Sequence, residues 1–162
     1  MTTKHSITTI STADDAAIAA IIRQVGQEFG AIGEGFGPSD EEVAAMSHHY
    51  REQDRSRYFV ARLDQTIIGG GGIAALNHST EVCELKKLFI LPRGRGLGLG
   101  KAIVEHCLDY ARHTGYQRCY LDTLSNMTAA IALYQKMGFE RLDAPLAGSI
   151  HNGCDIWMVK DL

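Results

Sequence analysis

The chain has 162 residues, 45% hydrophobic and 22% charged, which suits one folded domain over 1–162 and excludes a disordered or fibrous protein. A formal charge of −3 is a poor basis for holding nucleic acid by phosphate neutralisation. The longest unbroken apolar run, 16–22, is far short of the ~20 residues that span a bilayer. The Thr/Ser-rich start has no apolar signal core, so a cytoplasmic protein without nucleic-acid or membrane partners is expected.

In chain order, 6–10 reads as a Thr/Ile-rich strand. Helix 13–29 follows, with Ile18, Ile21, Ile22, Val25 and Phe29 on one face and Thr12 with Asp15 as a capping box. Gly26, Gly30, Gly33, Gly35 and Gly37 then crowd toward Pro38, too dense for a regular element. Ser39 with Glu42 predicts a second capping box and a helix over 39–50. Strands follow at 58–63, 66–76 and 81–91, the first two joined by a tight turn at Asp64-Gln65. Short connections favour antiparallel pairing. Glycines 69–72 interrupt the middle strand, which marks a bulge or a close backbone approach. After a glycine-rich turn, Ile103, Val104, Cys107, Leu108 and Ala111 form one face of a helix over 99–113 that stops at Gly115. Strand 118–124, helix 128–136 and strands 139–142 and 154–160 complete the chain. Strand, crossover helix and strand imply a parallel pair. The fold class is α/β: a mixed sheet flanked by helices, antiparallel first and parallel in the middle.

Cys83, Cys107, Cys119 and Cys154 make no Cys-x-x-Cys pair and read as reduced thiols. Adjacent His48 and His49 face apart on a helix, so no metal is expected. The turn Arg95-Gly96-Leu97-Gly98-Leu99-Gly100 carries the strongest chemical signal. A helix N-terminus offers unpaired amides and a positive dipole, and glycines let a phosphate approach the backbone. Arg93, Arg95 and Lys101 add positive charge. A P-loop would need glycine at 95 and Ser or Thr at 102. The dinucleotide fingerprint G-x-G-x-x-G fails in every register.

The pattern [Q/R]-x-x-G-x-[G/A], with Pro92 three residues before Arg95, resembles the cofactor signature of the GNAT superfamily of N-acetyltransferases. Asn126, Ala130, Tyr134, Lys136 and Gly138-Phe139 resemble that family's next block, N-x-x-A-x-x-x-Y-x-K-x-G-F. The strand 83–92 looks like the one that pairs with pantetheine. This resemblance implies the acyl-CoA N-acyltransferase fold, with a centrally splayed sheet, and acetyl-CoA as cosubstrate. It places the pyrophosphate on the amides from Arg95 to Lys101 (Arg95, Gly96, Leu97, Gly98, Leu99, Gly100, Lys101). The pantetheine arm would run beside Leu88, Phe89 and Ile90, in the wedge left by a strand bulge, with an amide near Phe89 donating to the thioester oxygen.

Tyr134 matches the family's general acid for the departing thiolate, and also fits a core aromatic. Asn126 would orient the cofactor or cap the following helix. Glu84 is the candidate base, on the cofactor strand with the parity of Lys86, Leu88 and Ile90; a salt bridge to Lys86 or Lys87 would also explain it. Glu34 and Phe36 in the 26–38 loop and His151 in the 147–153 loop are candidate acceptor contacts. The expected activity is acetyl transfer from acetyl-CoA to a primary amine of a small molecule or peptide by direct attack. The alternative is a non-catalytic acyl-CoA-binding or sensing module. A homodimer is compatible with either.

Overall fold

The computed structural model describes residues 4–31, 33, 36–146 and 153–162. Its elements are β1 (His5–Thr9), α1 (Asp15–Glu28), β2 (Arg57–Leu63), β3 (Thr66–Ala75), β4 (Val82–Ile90), α2 (Leu99–His113), β5 (Arg118–Thr123), α3 (Thr128–Lys136), β6 (Glu140–Leu142) and β7 (Ile156–Asp161). The strands form one sheet in the order β1-β2-β3-β4-β5-β7-β6. Pairing is antiparallel from β1 to β4, parallel between β4 and β5, and antiparallel again on both sides of β7. The parallel pair falls where the crossover helix α2 requires it. Among the described residues no helix is long and apolar enough to cross a membrane.

Each face of the sheet carries its own core. Ile103, Val104, Cys107, Leu108 and Ala111 of α2 pack on Cys83, Leu85, Cys119 and Leu121. On the other face, Ile18, Ile21, Ile22 and Val25 of α1 pack on Tyr58, Val60 and Phe89, with Val43 and Met46 closing the layer. Fully burying such a side chain contributes about 1.5–3 kcal/mol, so the two stripes dominate the stability of the sheet.

Local chemistry departs from the sequence expectation in three places. The first capping box is one residue earlier: Ser11 donates its amide and hydroxyl to Asp14 Oδ2 at 2.9 and 3.1 Å. Asp15 is thereby released to accept from the amide and hydroxyl of Ser47 at 2.8 and 2.6 Å. The helix expected over 39–50 is a 3-10 segment, Glu41–His48, broken at Ala45 (φ −149, ψ 62). Its predicted capping partners separate: Ser39 Oγ takes the Gly33 amide at 2.9 Å, while Glu42 reaches across to Lys86 at 2.9 Å. Finally, Gly26 belongs to α1, where a Cβ would stand 2.5 Å from Pro38 Cγ, so glycine is needed for the loop to dock on the helix.

The glycine run in β3 does mark a bulge. Gly70 pairs with Phe89 but Gly72 with Lys86, so β4 holds one extra residue there. Lys87 takes it up with a left-handed φ of +54. The extra residue reverses strand parity. Glu84 and Lys86 lie on the α1 face, whereas Leu88 and Ile90 join the α2 core and Phe89 and Leu91 take the α1 side. The expected shared parity of Glu84 with Leu88 and Ile90 is therefore corrected.

Candidate active site

The turn between β4 and α2 is shaped by glycine backbone. Gly96 and Gly98 adopt φ of +76 and +79, which L side chains adopt only with strain, and a Cβ at either would point into open space. Gly98 is the N-cap of α2, and among the described residues no side chain bonds the amides of that first turn. The first helical bond runs from Ala102 N–H to Gly98 O at 3.1 Å. The amides of Leu99, Gly100 and Lys101 are thus presented at the positive end of a 15-residue helix.

These amides border a groove of about 360 Å³, open to solvent, between the end of α1, the turn and the start of α3. Leu88, Phe89, Ile90, Arg95, Gly96, Gly98, Leu99, Gly100, Lys101 and Asn126 all line it. Leu97 is the exception; it is exposed and outside the wall. Val25, Phe29, Met127 and Leu133 supply apolar wall that sequence reasoning missed. The helical periodicity of Val25, Phe29 and Leu133 marked those three as core but carried no sign of a ligand, and Met127 lay on no predicted stripe.

Arg95 is already engaged. Its guanidinium makes a two-pronged contact with Glu28 at 2.6 and 2.9 Å, and its Nε donates to Ile90 O at 3.0 Å. The bonds from Arg95 hold the Glu28 carboxyl below its usual range. Asn126 does not cap α3, whose N-cap is Met127; its side-chain amide donates to Phe29 O at 2.9 Å. Both contacts tie the end of α1 to the groove.

Beyond the groove the sheet opens. β4 and β5 pair at only three positions, Val82 with Arg118, Cys83 with Cys119 and Glu84 with Tyr120. The strands then part into a wedge lined by Glu84, Lys86, Leu88, Asp122, Thr123, Tyr134 and Cys154, with Phe36 at its mouth. Leu88, Phe89 and Met127 border both spaces, so the groove and the wedge adjoin as two parts of the cleft. Leu91 N–H donates to Ile68 O at 2.8 Å, and Phe89 pairs with Gly70 two residues earlier. Antiparallel bonding alternates, so the Phe89 amide turns to β3 and the Ile90 amide faces the gap. The bulge aims Leu88 to the same side.

Glu84 stands at the fork of the wedge on the α1 face, with 6% of its surface exposed. Lys86 pairs with Glu42 at 2.9 Å and Lys87 with Asp40 and Glu42 at 2.9 and 3.3 Å, and the Glu84 charge also acts on Lys86, so the lysine reading of Glu84 stands beside the catalytic one. Burial opposes ionisation of Glu42, but Lys87 and Lys86 prevail and hold its carboxyl below the ordinary range. Tyr134 reaches the wedge from the opposite face, buried and edge-on to Phe139 at 5.8 Å. Burial, then Cys107 and Cys119, push its phenol up, so it keeps its proton at neutral pH. Burial and the Asp122 carboxylate push the Cys154 thiol up to about 12, which leaves it un-ionised and a weak nucleophile. Asp122, Thr123 and Cys154 were missed; only the parity of β5 with Tyr120 could have pointed to Asp122. Glu34 and His151 lie outside the described residues. Among the described residues no cluster of His, Cys, Asp and Glu has the makings of a metal site.

An open mixed sheet, parted beside a parallel pair and backed by a glycine-turn helix N-terminus, defines an acyl-CoA N-acyltransferase architecture. Residues 24–139 match the acetyltransferase (GNAT) family. The sequence is 37% identical over 151 residues, 92% of this chain and 90% of the relative, to the uncharacterised N-acetyltransferase YjgM of Escherichia coli (strain K12). The GNAT-family acetyltransferase of Staphylococcus aureus Mu50 has the same fold, with a TM-score of 0.83 at 17% identity over 98% of this chain and 99% of that one. So does the putative acetyltransferase yncA of Salmonella typhimurium, solved with its cofactor acetyl-CoA, with a TM-score of 0.79 at 20% identity over 98% and 94% of the two chains. The chain belongs to the GNAT acetyltransferase family and is an acyltransferase.

Proposed function

We propose that this acyltransferase moves the acetyl group of acetyl-CoA to the primary amine of a small molecule or peptide by direct attack. The observation that carries the reading is a groove bordered by the amides of the α2 N-terminus beside a wedge lined by both Glu84 and Tyr134, with Leu88, Phe89 and Met127 common to the two. The pyrophosphate would rest on the amides of Leu99 to Lys101, and the pantetheine arm would follow the groove past Leu88 and Ile90. The Ile90 and Leu88 amides would donate to the thioester oxygen as it gains charge.

An alkyl ammonium has a pKa near ~10.4, so the amine must shed a proton to react. Glu84 would accept it, directly or through one water. The C–N bond forms, the C–S bond breaks, the Tyr134 hydroxyl gives its proton to the thiolate, and the nitrogen's second proton leaves through water to restore the Tyr134 phenol. Placing base and acid on opposite faces of the sheet suits a reaction in which nucleophile and leaving group sit on opposite sides of one carbon. The un-ionised Cys154 thiol argues against an acetyl-cysteine intermediate and for direct attack. Phe36 at the wedge mouth fits an acceptor contact, and Glu34 and His151 are proposed for the same role.

The decisive test is release of free CoA from acetyl-CoA across amino acids, polyamines, aminoglycosides and peptide N-termini. Amine-dependent release supports the reading. Tight acetyl-CoA binding with no release for any amine would instead favour a binding or sensing module.

A further inference from the structure

Nothing in the cofactor reading accounts for four consecutive glycines in the middle of β3. The run serves both faces of the sheet. On the α2 face, a Cβ at Gly71 would stand 2.8 Å from Ile103 Cγ2 and 3.0 Å from Leu88 Cδ1, so both side chains pack on bare backbone. On the α1 face, a Cβ at Gly72 would come within 2.7 Å of Tyr58 Cδ2. One at Gly70 would come within 2.5 Å of Tyr58 Cε1 and 2.8 Å of its hydroxyl. The buried Tyr58 ring therefore lies across β3 from Gly72 to Gly70. Only a side chain that crosses the full width of β3 can reach β4 from β2. Tyr58 does so, and its hydroxyl donates to Lys87 O at 2.8 Å.

Lys87 is the bulged residue. Its left-handed φ is unfavourable for an L side chain and persists only where the surroundings fix it. Here both ends of the residue are fixed: the carbonyl by Tyr58 and the buried ammonium by Asp40 and Glu42. If Lys87 relaxed to an extended conformation, β4 would pair residue for residue with β3. Leu88 and Ile90 would then turn to the opposite face, and their amides away from the wedge.

We propose that Tyr58 is a positioning residue for acyl transfer: through Lys87 O it holds the β4 bulge and so keeps the Leu88 and Ile90 amides aimed at the thioester oxygen. This rests on the acetyl-CoA reading above. Its signature is a split between rate and affinity, because the pyrophosphate site is built separately, by the turn and α2.

The test uses the full chain with Tyr58→Phe. The expected result is a kcat lowered about ten- to a hundredfold, less than the ~10²–10³ lost with an outright oxyanion donor. Acetyl-CoA Kd by calorimetry should stay within about threefold, since the turn amides are untouched. The backbone carbon shifts of Lys87 should move from left-handed toward extended values. Adding Lys87→Gly should restore part of kcat, because glycine takes a positive φ without strain. Unchanged Lys87 shifts in Tyr58→Phe would overturn the proposal, whatever the rate. If Tyr58→Phe fails to fold, recovery of the fold in the double variant supports it and no recovery overturns it. If the wild-type chain neither binds acetyl-CoA nor acetylates any amine, the acetyl-CoA reading fails, and with it the role in acyl transfer. The Lys87 shifts would still decide whether Tyr58 holds the bulge.

Discussion

At the turn end of the cleft the wall is backbone: Gly96 and Gly98 in left-handed conformation and a first helical turn with no side-chain cap. At the wedge end the wall is side chains from separate elements, with Glu84 from β4, Asp122 from β5, Tyr134 from α3 and Cys154 from the segment before β7. The two ends differ in what a mutation can reach. A backbone site survives most side-chain changes and fails when glycine geometry is lost. A side-chain site keeps its shape after a conservative change and loses its chemistry.

The largest effect is expected where one atom type carries the chemistry. Glu84→Gln keeps size and hydrogen bonding but cannot accept the amine proton. It should lower kcat/KM by roughly 10²–10⁴, and the rising acid limb of the pH profile should move with it. Retention of both the wild-type rate and the wild-type limb would make Glu84 structural. Tyr134→Phe comes next, with kcat lowered by about 10²-fold and acetyl-CoA affinity held, since its proton matters only as the thiolate leaves. A rate equal to wild type would return Tyr134 to the core aromatics.

The turn end should answer in affinity instead. Gly98→Val places a β-branched residue at φ +79 and should weaken acetyl-CoA binding by about tenfold or more. Lys101→Ala removes an exposed charge and should cost about threefold or less, as for screened surface charges. Calorimetry giving the reverse order would mean that side-chain charge, not backbone, holds the pyrophosphate. The smallest effect concerns stability beside the wedge. Glu42 is held below its ordinary 4.5, so its ion pairs contribute fully above that value and are lost as pH falls through the lower, folded-state value. Glu42→Gln should lower Tm at neutral pH and flatten the decline of Tm below about pH 5, because it removes one proton-binding site. An equally steep acid decline would assign the acid sensitivity to other carboxylates.

The turn was legible in sequence because each of its requirements is local. Alternating glycine before an apolar helical stripe dictates a turn of bare backbone at a helix start, whatever packs around it. The parallel pair was legible for a similar reason, since a crossover helix of this length permits little else. The parity of β4 was not legible, because Lys87 looks like any strand residue and its left-handed φ is imposed from β2 and the 3-10 segment. The available signal lay on the partner strand, in glycines 69–72. The helix over 39–50 was misread because Ser39 with Glu42 has the spacing of a capping box, while the fold sends the two side chains to Gly33 and Lys86 instead. Asp122 and Cys154 gain meaning only once the strands part, a tertiary event that leaves no local pattern.

The contact of Pro38 with Gly26 has an evolutionary side. The Ala31 amide returns to Gly26 O at 2.7 Å, and Gly33 bonds Ser39 Oγ at 2.9 Å, so the loop from α1 toward the wedge is fastened at both roots. Doubling the length of a loop whose ends are fixed costs only about 0.6 kcal/mol in closure entropy. Insertions between those roots would therefore leave the sheet, the turn and the groove undisturbed. The segment between α1 and the wedge can drift in length and composition while the turn and the groove stay constant. If the proposed acceptor role of this loop holds, a lineage can change what it acetylates by rewriting a few of its residues.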